Sequence, residues 1–152
     1  RSVEIKERQR VGRMIERLGE VLAAVKALDD VLVISFDHVS LVAVRERIPG
    51  ARTELITHAR HVDAAGLARR AGAASVAIEA DMFHADEARA LHAAGVAVRV
   101  TLPRPEKIAA RRAYGLDIEA PIVAALREGL IDVLAGDDTR AIAALVRDHA
   151  PR

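Results

Sequence analysis

Short runs rich in β-branched residues alternate along this chain with stretches whose apolar residues recur at helical spacing, and that alternation constrains the fold most. Strands are expected at 3–6, 31–36, 53–57, 75–79, 96–102 and 132–135. Helices are expected between and after them, at 9–28, 39–47, 64–71, 85–94, 106–114, 121–128 and 139–148. In the first helix Val11, Met14, Ile15, Leu18, Leu22 and Val25 keep a three-four spacing, which gives one apolar stripe. The stops agree with this reading. Pro49-Gly50 makes a turn, and Gly72, Gly95, Gly115 and Gly129 each follow a helical pattern, where a left-handed cap favours glycine. Asp86, Glu87 and Asp138 sit near helix starts, where negative charge suits the dipole. A strand followed by a helix, repeated roughly every 20–30 residues, calls for parallel βαβ units and therefore an α/β barrel or open sheet. The run 96–100 alternates small and charged with apolar positions, as expected of a strand buried on one face.

Composition narrows the function. The 152 residues are 51% apolar and 30% charged, which suits a globular domain and not a disordered one. Basic and acidic side chains number 23 and 22, so no charge excess draws the chain to nucleic acid or to an anionic membrane. Aromatics are limited to Phe36, Phe83 and Tyr114, too few for the stacking platforms of single-strand binders. No nucleic-acid partner is expected. No apolar run reaches spanning length, so no membrane span is expected either. The lack of cysteine removes thiolate chemistry and is compatible with either redox compartment. The chain starts Arg1-Ser2, which reads as a processed or excised piece.

The first strand carries a carboxylate and an ammonium two positions apart, Glu4 and Lys6, so both share one face while Val3 and Ile5 share the other. The apolar pair is expected to pack outward under helices, and the charged pair to face a polar interior. Only Lys6, Lys26 and Lys107 are lysines; the remaining cations are arginine. A compact point charge at Lys6 suits a phosphate oxygen or a developing alkoxide. A plain salt-bridged strand end accounts equally well for the pair.

About 30 residues on, a strand runs into Ser35-Phe36-Asp37-His38, followed by a helix with Leu41 and Arg45 and then by Ile48-Pro49. Together with Glu4-Ile5-Lys6, this order resembles the glycerophosphodiester phosphodiesterase family, which carries a Glu-Ile-Lys strand, a long helix and a strand ending Ser-Phe-Asp/Glu. Further along, Glu54-Leu55-Ile56, the run 75–79 with Asp81, the run 98–101 and the run 132–137 are similar in layout. The resemblance implies the C-terminal part of a distorted (β/α)8 TIM-type barrel, occupying 1–152 without its N-terminal half. It implies a metal-dependent phosphoric diester hydrolase that converts glycerophosphodiesters to glycerol 3-phosphate and an alcohol. Under it, Glu4 would be a ligand of Ca²⁺ or Mg²⁺, hard cations that prefer carboxylate oxygen. Lys6 would be the catalytic and substrate-binding cation on the phosphate. Phe36 would wall the glycerol, and Ser35 and Asp37 would shape the strand end and cap the next helix.

The chain also departs from the family. The family's His-Arg pair, Glu-x-Asp ligands and second histidine precede the Glu-Ile-Lys strand, and the sequence given starts at that strand. Its late Trp-Thr-Val-Asn is Val100-Thr101-Leu102-Pro103 here, its closing Thr-Asp is Gly136-Asp137, and 115–130 adds a Pro-led helix. The fragment alone is therefore expected to be inactive. A degenerate phosphate-binding or interaction module is the alternative, and a Schiff-base lysine at Lys6, as in aldolases, is a third reading.

Other candidates come from position. Glu79 and Asp81 end a strand, where barrel chemistry gathers, and are expected to line the site. His58 and His61, with Asp63 following, straddle a strand end and read as loop polar residues. His38 reads as a helix-start residue, His92 as a helix-face residue, and His84 and His149 as solvated surface. Part of a barrel leaves sheet edges, and Val33, Ile56 and Ile78 are expected on its inner face. A homodimer, or pairing with a missing N-terminal half, is expected to follow.

Overall fold

The computed structural model describes residues 1–151. Among these, strands and helices alternate as β1 (Ser2–Glu4), α1 (Val11–Ala24), β2 (Leu32–Ser35), α2 (His38–Arg47), β3 (Arg52–Thr57), α3 (Ala64–Ala71), β4 (Ser75–Glu79), α4 (Ala85–Ala93), β5 (Ala97–Leu102), α5 (Pro105–Ala113), α6 (Glu119–Arg127), β6 (Val133–Gly136) and α7 (Thr139–His149). The strands take the sequential order β1-β2-β3-β4-β5-β6, and β1–β2, β2–β3 and β5–β6 pair in parallel. This is the α/β topology expected of part of a (β/α)8 barrel. The chain divides into two compact units, one of Arg1–Ile56 with Gly66–Val76, the other of Thr57–Ala65 with the residues from Ala77 onward.

In the first unit, register fixes which residues share a face. Val3 stands beside Val33 and Val33 beside Thr53; Glu4 stands beside Ile34 and Ile34 beside Glu54. Ile5 and Val33 are buried in one cluster with Ile15 and Leu22 of α1 and Val44 of α2. Val33 therefore lies on the helix side with Ile5, not on the inner face where it was expected. In-register parallel neighbours point the same way, so once Ile5 packs under the helices Val33 must follow. Ile78 is corrected by the same rule. Ser75 donates to Glu54 on the Glu4 side, and alternation along β4 then sets Ala77 and Glu79 with Ser75 and leaves Ile78 opposite. Ile56, two residues from Glu54, does share the Glu4 face.

Helix α1 ends at Ala24, short of the expected Leu28. The apolar spacing runs on to Val25, but the chain turns at Lys26, which holds φ +53° without being glycine. The Lys26 N–H reaches Ala23 O at 3.2 Å and the Ala27 N–H reaches Leu22 O at 3.0 Å, closing a Schellman-type stop. The four glycine stops read from the sequence do hold positive φ, between +61° at Gly72 and +83° at Gly115.

In the second unit β5 is buried at alternate residues: Val98, Val100 and Leu102 are inside and Arg99 and Thr101 face the other way. The additional helix α6 buries Ile122, Ala125 and Leu126. At the β5–β6 pair Leu102 stands beside Gly136. A Cβ on Gly136 would come within 2.7 Å of the Leu102 carbonyl oxygen, so the close approach of these two strands requires glycine. Among the described residues, no helix is long and apolar enough to cross a membrane.

Candidate functional site

The first unit gathers its polar groups at the C-terminal ends of β1, β2 and β3, the side on which parallel barrels carry chemistry. Two local devices tie these ends together. The Ser35 hydroxyl donates to Ile5 O at 3.1 Å and accepts the Asp37 N–H at 3.0 Å. The His38 ring bonds through Nε2 to Ile56 O at 2.9 Å, which makes Nε2 the protonated nitrogen. Asp37 caps α2, accepting the Val39 N–H at 3.2 Å and the Ser40 hydroxyl. The Ser40 hydrogen bond holds the Asp37 carboxyl below the usual range. Ser35 and Asp37 thus have the shaping and capping roles expected of them.

Glu4 and Lys6 fall on the face opposite Ile5. Glu4 Oε2 lies 3.3 Å from Lys6 Nζ, with 28% of the Glu4 side chain and 77% of the Lys6 side chain exposed. Strand β1 stops at Glu4, although the Ile5 N–H still reaches Ile34 O at 2.8 Å, so Lys6 leaves the sheet into solvent. An aldolase-like Schiff base needs a desolvated amine, and the exposure of Lys6 removes that reading. Phe36, the residue after the end of β2, is 39% exposed. Sequence reasoning passed over Glu54 as a chemical group. It is 1% exposed, with Oε2 accepting from Ser75 Oγ at 2.8 Å. It sits one strand beyond Ile34, in the row that begins at Glu4.

A divalent cation does not fit these residues. Hard cations take six or more oxygens and several carboxylates. Among the described residues, no three His, Cys, Asp or Glu side chains come together to hold a metal ion. Glu4 is engaged by Lys6 instead.

The second unit has a polar cleft of about 430 Å³ at the C-terminal ends of β4, β5 and β6. Glu79 and Asp81 line it, together with Thr101, Arg104, Lys107 and Arg111. Asp81 pairs with Arg111 at 2.7 Å and Asp137 with Arg104 at 2.8 Å. The Asp137 hydrogen bond holds the Arg104 guanidinium more firmly protonated. Glu79 Oε1 meets His58 Nδ1 at 2.8 Å. His61 Nε2 meets Thr57 Oγ1 at 2.8 Å, and His92 Nε2 meets Asp132 at 2.8 Å. His58, His61 and His92 are therefore hydrogen-bonded in the fold and not grouped as ligands; His84 is the N-cap residue of α4. The cleft's cations were missed in the sequence. Arg104, Lys107 and Arg111 sit at i, i+3 and i+7, a spacing that marks one helix face and was legible, but only the structure turns that face toward the strand ends.

No protein-family profile matches the sequence and no curated protein matches it; the likeness to known proteins lies in solved structures. A protein from Galdieria sulphuraria assigned as a glycerophosphodiester phosphodiesterase superposes with TM-score 0.73 at 14% identity, over 96% of this chain and 56% of that one. A glycerophosphodiester phosphodiesterase from Parabacteroides distasonis gives 0.66 at 12% identity, over 97% and 56%. An Oleispira antarctica phosphodiesterase in complex with the product sn-glycerol-3-phosphate gives 0.62 at 17% identity, over 96% and 54%. In fold the chain is thus similar to glycerophosphodiester phosphodiesterases, of which it spans about half the length.

Proposed function

We propose that this chain is part of a glycerophosphodiester phosphodiesterase-type barrel and supplies phosphate-binding residues to it. The observation that carries this reading is the likeness in fold to phosphodiesterases, one of them holding sn-glycerol 3-phosphate. The parent reaction is attack of water on phosphorus: the P–O bond to the alcohol breaks, and the alcohol leaves with a proton, giving glycerol 3-phosphate. Lys6 is the phosphate-binding cation and Phe36 the apolar wall beside glycerol. The exposed Glu4–Lys6 pair is of the kind that contributes only about 0–1 kcal/mol, so a phosphate dianion can draw Lys6 away from Glu4. Turnover in the parent reaction calls on Ca²⁺ or Mg²⁺, and no ligand set for such a cation forms among the described residues, so binding without turnover is the expected behaviour of this chain.

The experiment is a titration of the chain with glycerol 3-phosphate, beside an assay for its release from glycerophosphocholine with Ca²⁺ or Mg²⁺. Binding that Lys6→Ala abolishes, without turnover, is expected. Lack of binding at millimolar ligand would sink the reading. Metal-dependent turnover would show that the site has been misplaced.

A further inference from the structure

We propose that a cavity between α5 and α7, within the second unit, binds a primary alkylammonium, with its aliphatic chain between the two helices and its amine against Asp148. The cavity holds about 370 Å³, the size of a small-molecule site. Ile108 and Ala109 line it from α5, and Ala141, Ile142, Ala144 and Leu145 line it from α7. Neither helix buries a residue fully. The alanines are too short to close the gap, so Ile108, Ile142 and Leu145 stay half-buried around a space the chain does not fill. On α7 the residues Asp138, Ala141, Leu145 and Asp148 fall at i, i+3, i+7 and i+10, which sets them on one face. The apolar stripe is therefore bounded by a carboxylate at each end.

The charges around the cavity select the head group. Four charged side chains line it: Arg112, Glu119, Asp138 and Asp148. Arg112 is held by Glu119 at 2.7 Å, and each neutralises the other. Asp138 caps α7, its Oδ1 accepting the Arg140 and Ala141 N–H groups at 3.1 and 3.0 Å, where the positive end of the helix offsets its charge. Asp148 lies in the last turn of α7, where the helix end is itself negative and favours a cation. Its partner is Arg147 Nε at 3.1 Å, the preceding residue, which does not line the cavity. Both side chains of that pair are exposed, and such a pair contributes so little that an ammonium can share the carboxylate. An ammonium donates and does not accept, which suits a carboxylate beside last-turn carbonyls. A carboxylate head would meet Asp148 with like charge, and an alcohol would gain only the burial of its chain.

The test is calorimetric titration of the whole chain with octylammonium, octanol and octanoate, which share one chain length and differ in the head. Octylammonium should bind about fivefold more tightly than octanol, the ratio that one partly exposed ion pair supplies, and octanoate should bind more weakly than either. Asp148→Asn should bring octylammonium and octanol to within about twofold of each other while leaving octanol binding unchanged. Ala144→Leu keeps a strong helix former in α7 and fills the cavity. It should weaken both ligands by about tenfold or more without lowering Tm. If the three ligands bind equally, or octanoate binds most tightly, the alkylammonium assignment falls. Octylammonium that fails to bind at millimolar concentration, or that binds Ala144→Leu as tightly as the parent, overturns the cavity as the site. None of these outcomes bears on glycerol 3-phosphate binding, which the phosphodiester reading requires.

Discussion

The Ser35 hydroxyl donates to the Ile5 carbonyl across the β1–β2 pair, 3.1 Å away, and the same oxygen accepts the Asp37 N–H at 3.0 Å. One buried atom thus fixes the end of the strand bearing Glu4 and Lys6 and the start of helix α2. Ser35→Ala removes the donor for Ile5 O and the acceptor for Asp37 N together. Leaving buried groups unsatisfied costs about 1–3 kcal/mol. Urea unfolding should show that loss, and Ser35→Thr should restore part of it. An alanine variant as stable as the parent would mean that the strand end is held by packing alone.

Gly136 combines a close approach with a positive φ of +157°, whereas Gly115 has the positive φ alone. At Gly136 a Cβ would meet the Leu102 carbonyl oxygen at 2.7 Å, and backbone in a sheet pair has little freedom to retreat. At Gly115 (φ +83°) nothing lies within 4 Å of the added atom. Gly136→Ala should therefore destabilise by about 1–3 kcal/mol and loosen the β5–β6 pair. Gly115→Ala should cost about 1 kcal/mol from its left-handed backbone alone. Hydrogen exchange should show faster β6 amides only in the first variant.

Much of this architecture was legible in the sequence, for reasons that differ by element. Strand β4 (Ser75–Glu79) falls where the pattern set it, because a short β-branched run between Gly72 and the acidic start of α4 has no competing period. The Asp37 cap and the Ser35 link are local, and local hydrogen bonding is readable from neighbouring letters. The end of α1 was not, because Lys26 turns the chain without glycine. The face of Val33 was not, because it depends on register with β1, a relation between segments 30 residues apart. The His58–Glu79 and Arg111–Asp81 pairs are non-local in the same way. Glu54 escaped notice because a carboxylate inside a strand pattern is ordinarily solvated, and its burial against Ser75 appears only when β3 and β4 are set side by side.

Lys26 leads to a stabilising substitution. Its φ of +53° costs a side-chain-bearing residue about 1 kcal/mol that glycine would not incur. Glycine also loses more freedom on folding, about 0.5–1 kcal/mol in opposition. Lys26→Gly should thus raise stability by at most about 0.5 kcal/mol. A lower melting temperature than the parent's would show that the lysine side chain makes a compensating contact.

Glu87 supplies a pH dependence with a defined sign. Burial pushes its carboxyl above the ordinary 4.5, outweighing the His61 backbone N–H and the nearby charges of His61, Arg60 and His84. Its Oε2 is buried without a hydrogen-bond partner among the described residues. The folded state therefore holds this proton more tightly than the unfolded chain does. The stability it contributes is complete below pH 4.5 and is lost as pH rises through the elevated folded value. Glu87→Gln should accordingly raise the melting temperature at pH 7 and leave it unchanged near pH 4. Asp37 runs the other way: its depressed carboxyl adds stability above its ordinary 3.8, and that is lost as pH falls through the folded value. In Asp37→Asn the destabilisation should be seen at pH 7 and disappear in acid. An unchanged pH profile in either variant would reassign the effect to packing.

The last expectation concerns assembly through β6. This strand ends the sheet order with β5 as its partner, so its outer row of N–H and C=O groups is open to pairing. Val133 is 46% exposed, and α7, which follows β6, buries none of its residues despite Ile142, Leu145 and Val146 on its apolar side. Covering the exposed half of Val133 recovers about 1 kcal/mol, and the α7 side chains add to that if a second copy covers them as well. Association costs several kcal/mol in lost freedom, so pairing must draw on the open β6 backbone groups and the α7 side chains together with Val133. Light scattering should report twice the chain mass. Val133→Lys sets a charge on the open edge, a substitution that natural edge strands use against pairing, and should return the chain to a monomer. A parent chain that is already monomeric, with β6 amides protected from exchange, would show that this edge is closed within the single chain.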